Sequence, residues 1–157
     1  MVALRRRIPA SSRCRVIFRS LFFPCVLFAP VPAMATETVT MDMASQAIDL
    51  DSGAVTEATS TVPASGADVK LAYNADRAPH AVVFPVGQQV EIAFVAGVGY
   101  DGLTPPDIAT LTFSAEPVDL PFSANDCIVV RTDQGTFFKL GNAAESGLSI
   151  TFNYEQL

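Results

Sequence analysis

The sequence has no tryptophan, one histidine (His80) and three cysteines, two of which, Cys14 and Cys25, fall within the first 35 residues. Beyond residue 35 Cys127 stands alone, so no intramolecular disulfide can form there. A lone cysteine in an apolar strand reads as a small buried hydrophobe. A second histidine and a second cysteine are missing for a zinc site, and no G-x-S-x-G elbow is present. His80 would have to find Cys127 or a serine across an unknown distance, so the chain is read as not an enzyme.

Basic residues are scarce after position 35. Only Lys70, Arg77, Arg131 and Lys139 remain, against all sixteen Asp and Glu, a net charge of −12 for that part. The whole-chain value of −6 hides this, because six arginines, among them Arg5, Arg6 and Arg7, crowd the front. An acidic surface repels phosphate backbones, so nucleic acid is not an expected partner.

A long apolar run is also missing. The stretch from Leu21 to Val31 is broken by prolines and falls short of the roughly 20 residues a membrane-spanning helix needs. It follows the arginines and ends at Ala33-Met34-Ala35, the small-x-small pattern of a secretory leader. Residues 1–35 are therefore expected to be a cleaved signal peptide, with Thr36 the first residue of an exported chain: periplasmic, surface-attached or extracellular. Cys25 follows Phe-Phe-Pro, so a lipid-attachment site is rejected. The remaining 122 residues, with no expected transmembrane segment, suit a single domain able to bury about two thirds of its extended surface.

No segment keeps a helical period over three turns without glycine or proline. The period present is two. Val39, Met41 and Met43 alternate, and Ile48 and Leu50 continue the pattern. Val69, Leu71 and Tyr73 share a face, as do Val90, Ile92 and Phe94. Further strands are predicted at His80 to Phe84, Ile108 to Phe113, Pro117 to Phe122, Cys127 to Thr132, Thr136 to Leu140 and Leu148 to Tyr154. Turn-forming clusters separate them, including GNAAESG at 141–147. The pattern predicts an all-β antiparallel sandwich or flattened barrel ending in a C-terminal β-meander. Residues 53–66 read as a long flexible loop, and Gly97 to Asp107 as a second, surface loop.

Asp49 and Asp51 would point to one face of a strand, an arrangement that invites calcium. Gly53 occupies the place of a third donor and no glutamate closes a twelve-residue loop, so turn aspartates are the stronger reading and no metal is expected.

The segment VVRTDQGTFFKL (129–140) allows two hairpin registers. A Gln134-Gly135 turn would put Lys139 opposite Val130, among apolar side chains. A three-residue loop, Asp133-Gln134-Gly135 with Gly135 left-handed, pairs Thr132 with Thr136, Val130 with Phe138 and Ile128 with Leu140. Ile128, Val130, Phe138 and Leu140 then face the core. Arg131, Phe137 and Lys139 share the opposite face with Cys127 and Val129, a surface able to meet an acidic ligand. With so many excess carboxylates, pairing of both cations with acidic neighbours is the favoured alternative.

The order of AIDLDSGAV, a polar gap, GADVKLAYN and a terminal IVVRTDQGTFFKL followed by GLSITFNYEQL resembles the HmuY-like haem-binding proteins over about residues 46–157. Where that family places a tryptophan before the second-strand aspartate, this chain has Ala67. The resemblance implies an exported, non-catalytic β-domain acting as a binding or surface-associated module. It also implies haem or another porphyrin as a possible ligand, with His80 a candidate axial ligand and Arg131 or Lys139 meeting a propionate. The competing expectation is a structural or adhesion-type β-domain with protein partners and no small-molecule pocket.

Overall fold

The computed structural model describes residues 35–43, 45–58, 66–76 and 81–157, which belong to one compact unit, Ala33–Leu157. The proposed leader up to residue 34, most of the polar gap (59–65) and His80 lie outside the described residues. Among the described residues ten strands are formed: β1 Glu37–Asp42, β2 Gln46–Asp49, β3 Ala54–Glu57, β4 Val69–Tyr73, β5 Ala81–Pro85, β6 Glu91–Val95, β7 Val118–Asp119, β8 Cys127–Arg131, β9 Phe137–Ser146 and β10 Ser149–Gln156.

They make two five-stranded sheets, ordered β1-β10-β9-β8-β6 and β3-β2-β4-β5-β7. Every pairing is antiparallel. The result is the expected all-β sandwich, with sheets that do not close into a barrel. Strands β8, β9 and β10 form the C-terminal meander.

The two-residue period explains the core. Met41, Ile128, Val130, Leu140, Ile150 and Phe152 from the first sheet meet Ile48, Val69, Leu71 and Val83 from the second in one buried cluster. Each fully buried aliphatic side chain contributes roughly 1.5–3 kcal/mol. Intervening positions face outward, as in β10, where Ser149, Thr151 and Asn153 are only half-buried.

The hairpin takes the three-residue loop. Ile128 pairs with Leu140, Val130 with Phe138 and Arg131 with Phe137. The Thr132 N–H donates to the Thr136 carbonyl at 2.9 Å, and Gly135 has φ +82°.

Four expectations need correction. GNAAESG does not separate strands: β9 runs through it to Ser146. It bends there instead, where Asn142 takes φ +53° and the β9–β10 register shifts, two residues facing one. Ile108 to Phe113 is not a strand, because Pro105–Thr110 forms a 3-10 turn. Its start is a capping box: the Asp107 carboxylate accepts from the Thr104 N–H and hydroxyl at 2.9 and 2.7 Å, and a proline occupies the first position. Those two hydrogen bonds hold the Asp107 carboxyl below its ordinary pKa. The strand predicted over 117–122 shrinks to Val118–Asp119. Residues 53–66 begin with a strand, β3, which pairs along β2 from Asp49↔Ala54 to Gln46↔Glu57.

Candidate functional site

The outer face of β8 and β9, read above as a cationic surface, is covered. The connection from β6 to β7 folds over it, and Leu103, Leu111 and Phe113 pack with Val95, Cys127, Val129 and Phe137 in a second apolar cluster. Phe113 and Phe137 meet at 5.6 Å between ring centroids, tilted by 53°. Gly141 is part of the closure, since a Cβ there would lie 3.1 Å from the Tyr100 ring.

Lys139 is buried by this cover. Its Nζ sits 4.6 Å from the Tyr100 ring centroid and 3.4 Å from Glu155 Oε2. The Arg131 Nη2 donates to Glu91 Oε2 at 2.6 Å, and its guanidinium lies 5.9 Å from the Phe113 ring centroid. Both cations therefore have carboxylate partners, the outcome that the excess of acidic residues favoured. The Cys127 Sγ–H donates to the Val98 carbonyl at 3.4 Å, and burial pushes its thiol pKa up. The Tyr100 hydroxyl is buried, and the same loss of solvent raises its pKa well above the usual phenol range, opposed by a side-chain interaction with Thr36.

Asp49 and Asp51 converge with a third carboxylate, Asp68, one oxygen from each lying within 4.8 Å of the others. Sequence spacing missed Asp68 because it arrives from the far side of the polar gap. Asp49 behaves as a turn aspartate: its oxygens accept from the Asp51 and Ser52 N–H groups and from the Ser52 hydroxyl, at 3.0, 3.2 and 2.7 Å. Asp68 is 2 % exposed and accepts from the Leu50 N–H at 2.8 Å and, more distantly, the Asp133 N–H at 3.4 Å. Burial raises its pKa to about 6. The two N–H donors oppose the rise, and the charges of Asp51 and Asp49 add to it.

An apolar concavity lies where the terminal strands of the two sheets, β6 and β7, approach one another. It has a volume of about 520 Å³ and is walled by Val82, Phe84, Phe94, Pro117 and Val118, with Asn74 and Asp119 supplying polar groups. A smaller hollow of about 200 Å³ shares Phe94 and Asp119 and runs on to Pro121 and Phe122. Phe84 is 37 % exposed and Phe94 48 %. Alternation put Phe94 on one face with Val90 and Ile92. It does pair with Ile128, but the bridge from Ser114 falls at Ile92, and Phe94 is left half-exposed.

The walls suit the apolar face of a flat ligand, but the described residues bring no iron donor to the groove. Met41 and Met43 are buried in the core, and Cys127 lies in the covered cluster. Arg131 borders a different hollow, with Gln89, Glu91 and Asp133. The structure thus does not assemble Arg131 and Lys139 at this groove.

No family model and no curated protein matches the chain. Among solved structures, the chain is similar to the crystal structure of the apo HmuY analog (TFO) of Tannerella forsythia, with a TM-score of 0.49 and 10 % identity, over 82 % of this chain and 98 % of that one.

Proposed function

We propose that the chain is an exported, non-catalytic β-domain that binds a ligand with a flat apolar face in the groove between β6 and β7. The observation that carries this reading is the pair of half-exposed phenylalanines, Phe84 and Phe94, around a concavity bordered by Pro117 and Val118. Large apolar side chains left open to water around one groove favour occupation by an apolar partner. The polar lining, Asn74 and Asp119, offers no nucleophile beside a base. Export rests on the leader pattern, and no helix among the described residues is long and apolar enough to cross a membrane.

Haem or another porphyrin is the ligand that the sequence resemblance implies. The groove supplies walls for it, and the axial role is assigned to His80, the one histidine of the sequence. Titration of the purified exported protein with haemin tests this: a sharpened Soret band that weakens in His80→Ala is the expected result. The same band in His80→Ala removes the axial histidine, and no spectral change removes the porphyrin. The adhesion-type alternative draws on the same exposed phenylalanines and is favoured if the groove takes up only a protein partner.

A further inference from the structure

The basic residues beyond position 35 that the structure describes are Lys70, Arg131 and Lys139. Arg131 is held by Glu91 and Lys139 by Glu155. Lys70, half-buried on β4, makes no hydrogen bond or ion pair among the described residues, in a chain with sixteen Asp and Glu. Charge balance therefore accounts for the other two cations and leaves this one unexplained.

Strand register places Lys70 beside the groove between β6 and β7. It pairs with Phe84 of β5, Ala72 pairs with Val82, and Val82 in turn pairs with Asp119 of β7. Directly paired residues share a sheet face, with Cβ atoms about 5 Å apart. Val69 and Leu71, on either side of Lys70, are fully buried in the core, as is Val83 between Val82 and Phe84. Lys70 thus stands on the outer face of the second sheet with Phe84 and Val82, two walls of the groove. A lysine stem packs along an apolar neighbour of this kind while its ammonium stays in water. The two ends of the β5 wall then differ in charge, with Lys70 across from Phe84 and Asp119 across from Val82.

We propose that Lys70 is the charge anchor of the groove, and that the ligand is a flat apolar molecule carrying a carboxylate on one edge. The apolar body lies against Phe84, Phe94 and Val118, and the carboxylate turns to Lys70 and away from Asp119. The assignment rests on the reading of the groove as a ligand site and gives that ligand a charge and a direction. The reversed ligand would set its carboxylate against Asp119 and leave Lys70 unmet, so the two side chains together select one orientation.

Two fluorescent probes with the same flat body test it: pyrenebutyrate, which carries the carboxylate, and pyrenebutanol, which does not. Fluorescence titration of the exported protein in low salt should give a Kd for the butyrate roughly fivefold below that for the butanol, a gap that narrows as salt is added. Lys70→Met, which keeps an apolar stem, closes the gap by weakening the butyrate alone, and Lys70→Arg keeps it. Equal affinity of the parent for the two probes, or equal weakening of both by Lys70→Met, overturns the anchor and leaves the groove standing. Failure of both probes to bind, or binding that Phe94→Glu leaves untouched, overturns the groove reading and the anchor with it.

Discussion

Acidification from neutral pH should stabilise this domain through Asp68. Its carboxyl is 2 % exposed and has a pKa of about 6, against 3.8 when free in solution. The fold thus prefers the protonated form, so the stability from this group is complete below about pH 4 and is lost as pH rises through 6. The full difference, about two pKa units, amounts to about 3 kcal/mol, and about 1 kcal/mol of it separates pH 7 from pH 5. For a domain of this size that is a rise in Tm of roughly 4–6 °C.

Asp68→Asn isolates the effect. The amide oxygen keeps the bond from the Leu50 N–H, and no charge remains to titrate. Urea unfolding of both proteins at pH 5 and pH 7 should show the parent gaining about 1 kcal/mol more on acidification than the variant. Equal pH dependence in the two proteins would refute the reasoning, as would a parent that loses stability relative to the variant on acidification. Asp107, whose carboxyl is held below its ordinary value by Thr104, acts in the opposite sense. Its contribution is present above about pH 4 and fades below, outside the window compared.

Gly141→Ala places a Cβ 3.1 Å from the Tyr100 ring, so the cover over β8 and β9 must shift. A loss of roughly 1–3 kcal/mol is expected, with faster reaction of Cys127 with a thiol reagent. An unchanged thiol rate would show that the cover does not depend on this close approach. Leu140→Ala opens a cavity between the sheets at a fully buried position and should cost roughly 2–5 kcal/mol in denaturant unfolding. A loss below about 1 kcal/mol would remove Leu140 from the central core.

Alternation carried most of the fold into view. Met41, Val69 and Leu71 were readable as core because each follows a two-residue period beside polar neighbours, and the steric and charge arguments that chose the hairpin register added Val130 and Leu140. Reading failed where one period imitated another. Ile108, Leu111 and Phe113 are apolar enough to pass for a strand, yet Thr104-Pro105-Pro106-Asp107 carries a helix-start signal that outweighs them.

The candidate site was less legible. Arg131 and Lys139 were placed on the correct face, but that Lys139 is buried under Tyr100 and Arg131 borders Phe113 depends on where a long connection packs. Phe94 shares the edge strand β6 with the buried Ile92, and the bridge to Ser114 falls at Ile92 alone, a tertiary contact that spacing does not reveal. Asp68 joins Asp49 and Asp51 through a pairing across the polar gap that local spacing cannot reveal.

The groove between β6 and β7 is tested most directly by titrating isotope-labelled protein with a diamagnetic metalloporphyrin and mapping the amide shifts. Perturbations centred on Val82, Phe84, Phe94 and Val118, abolished by Phe94→Glu, are the predicted result. Shifts centred instead on the hollow beside Arg131 and Asp133, or shifts that survive Phe94→Glu, would contradict the account.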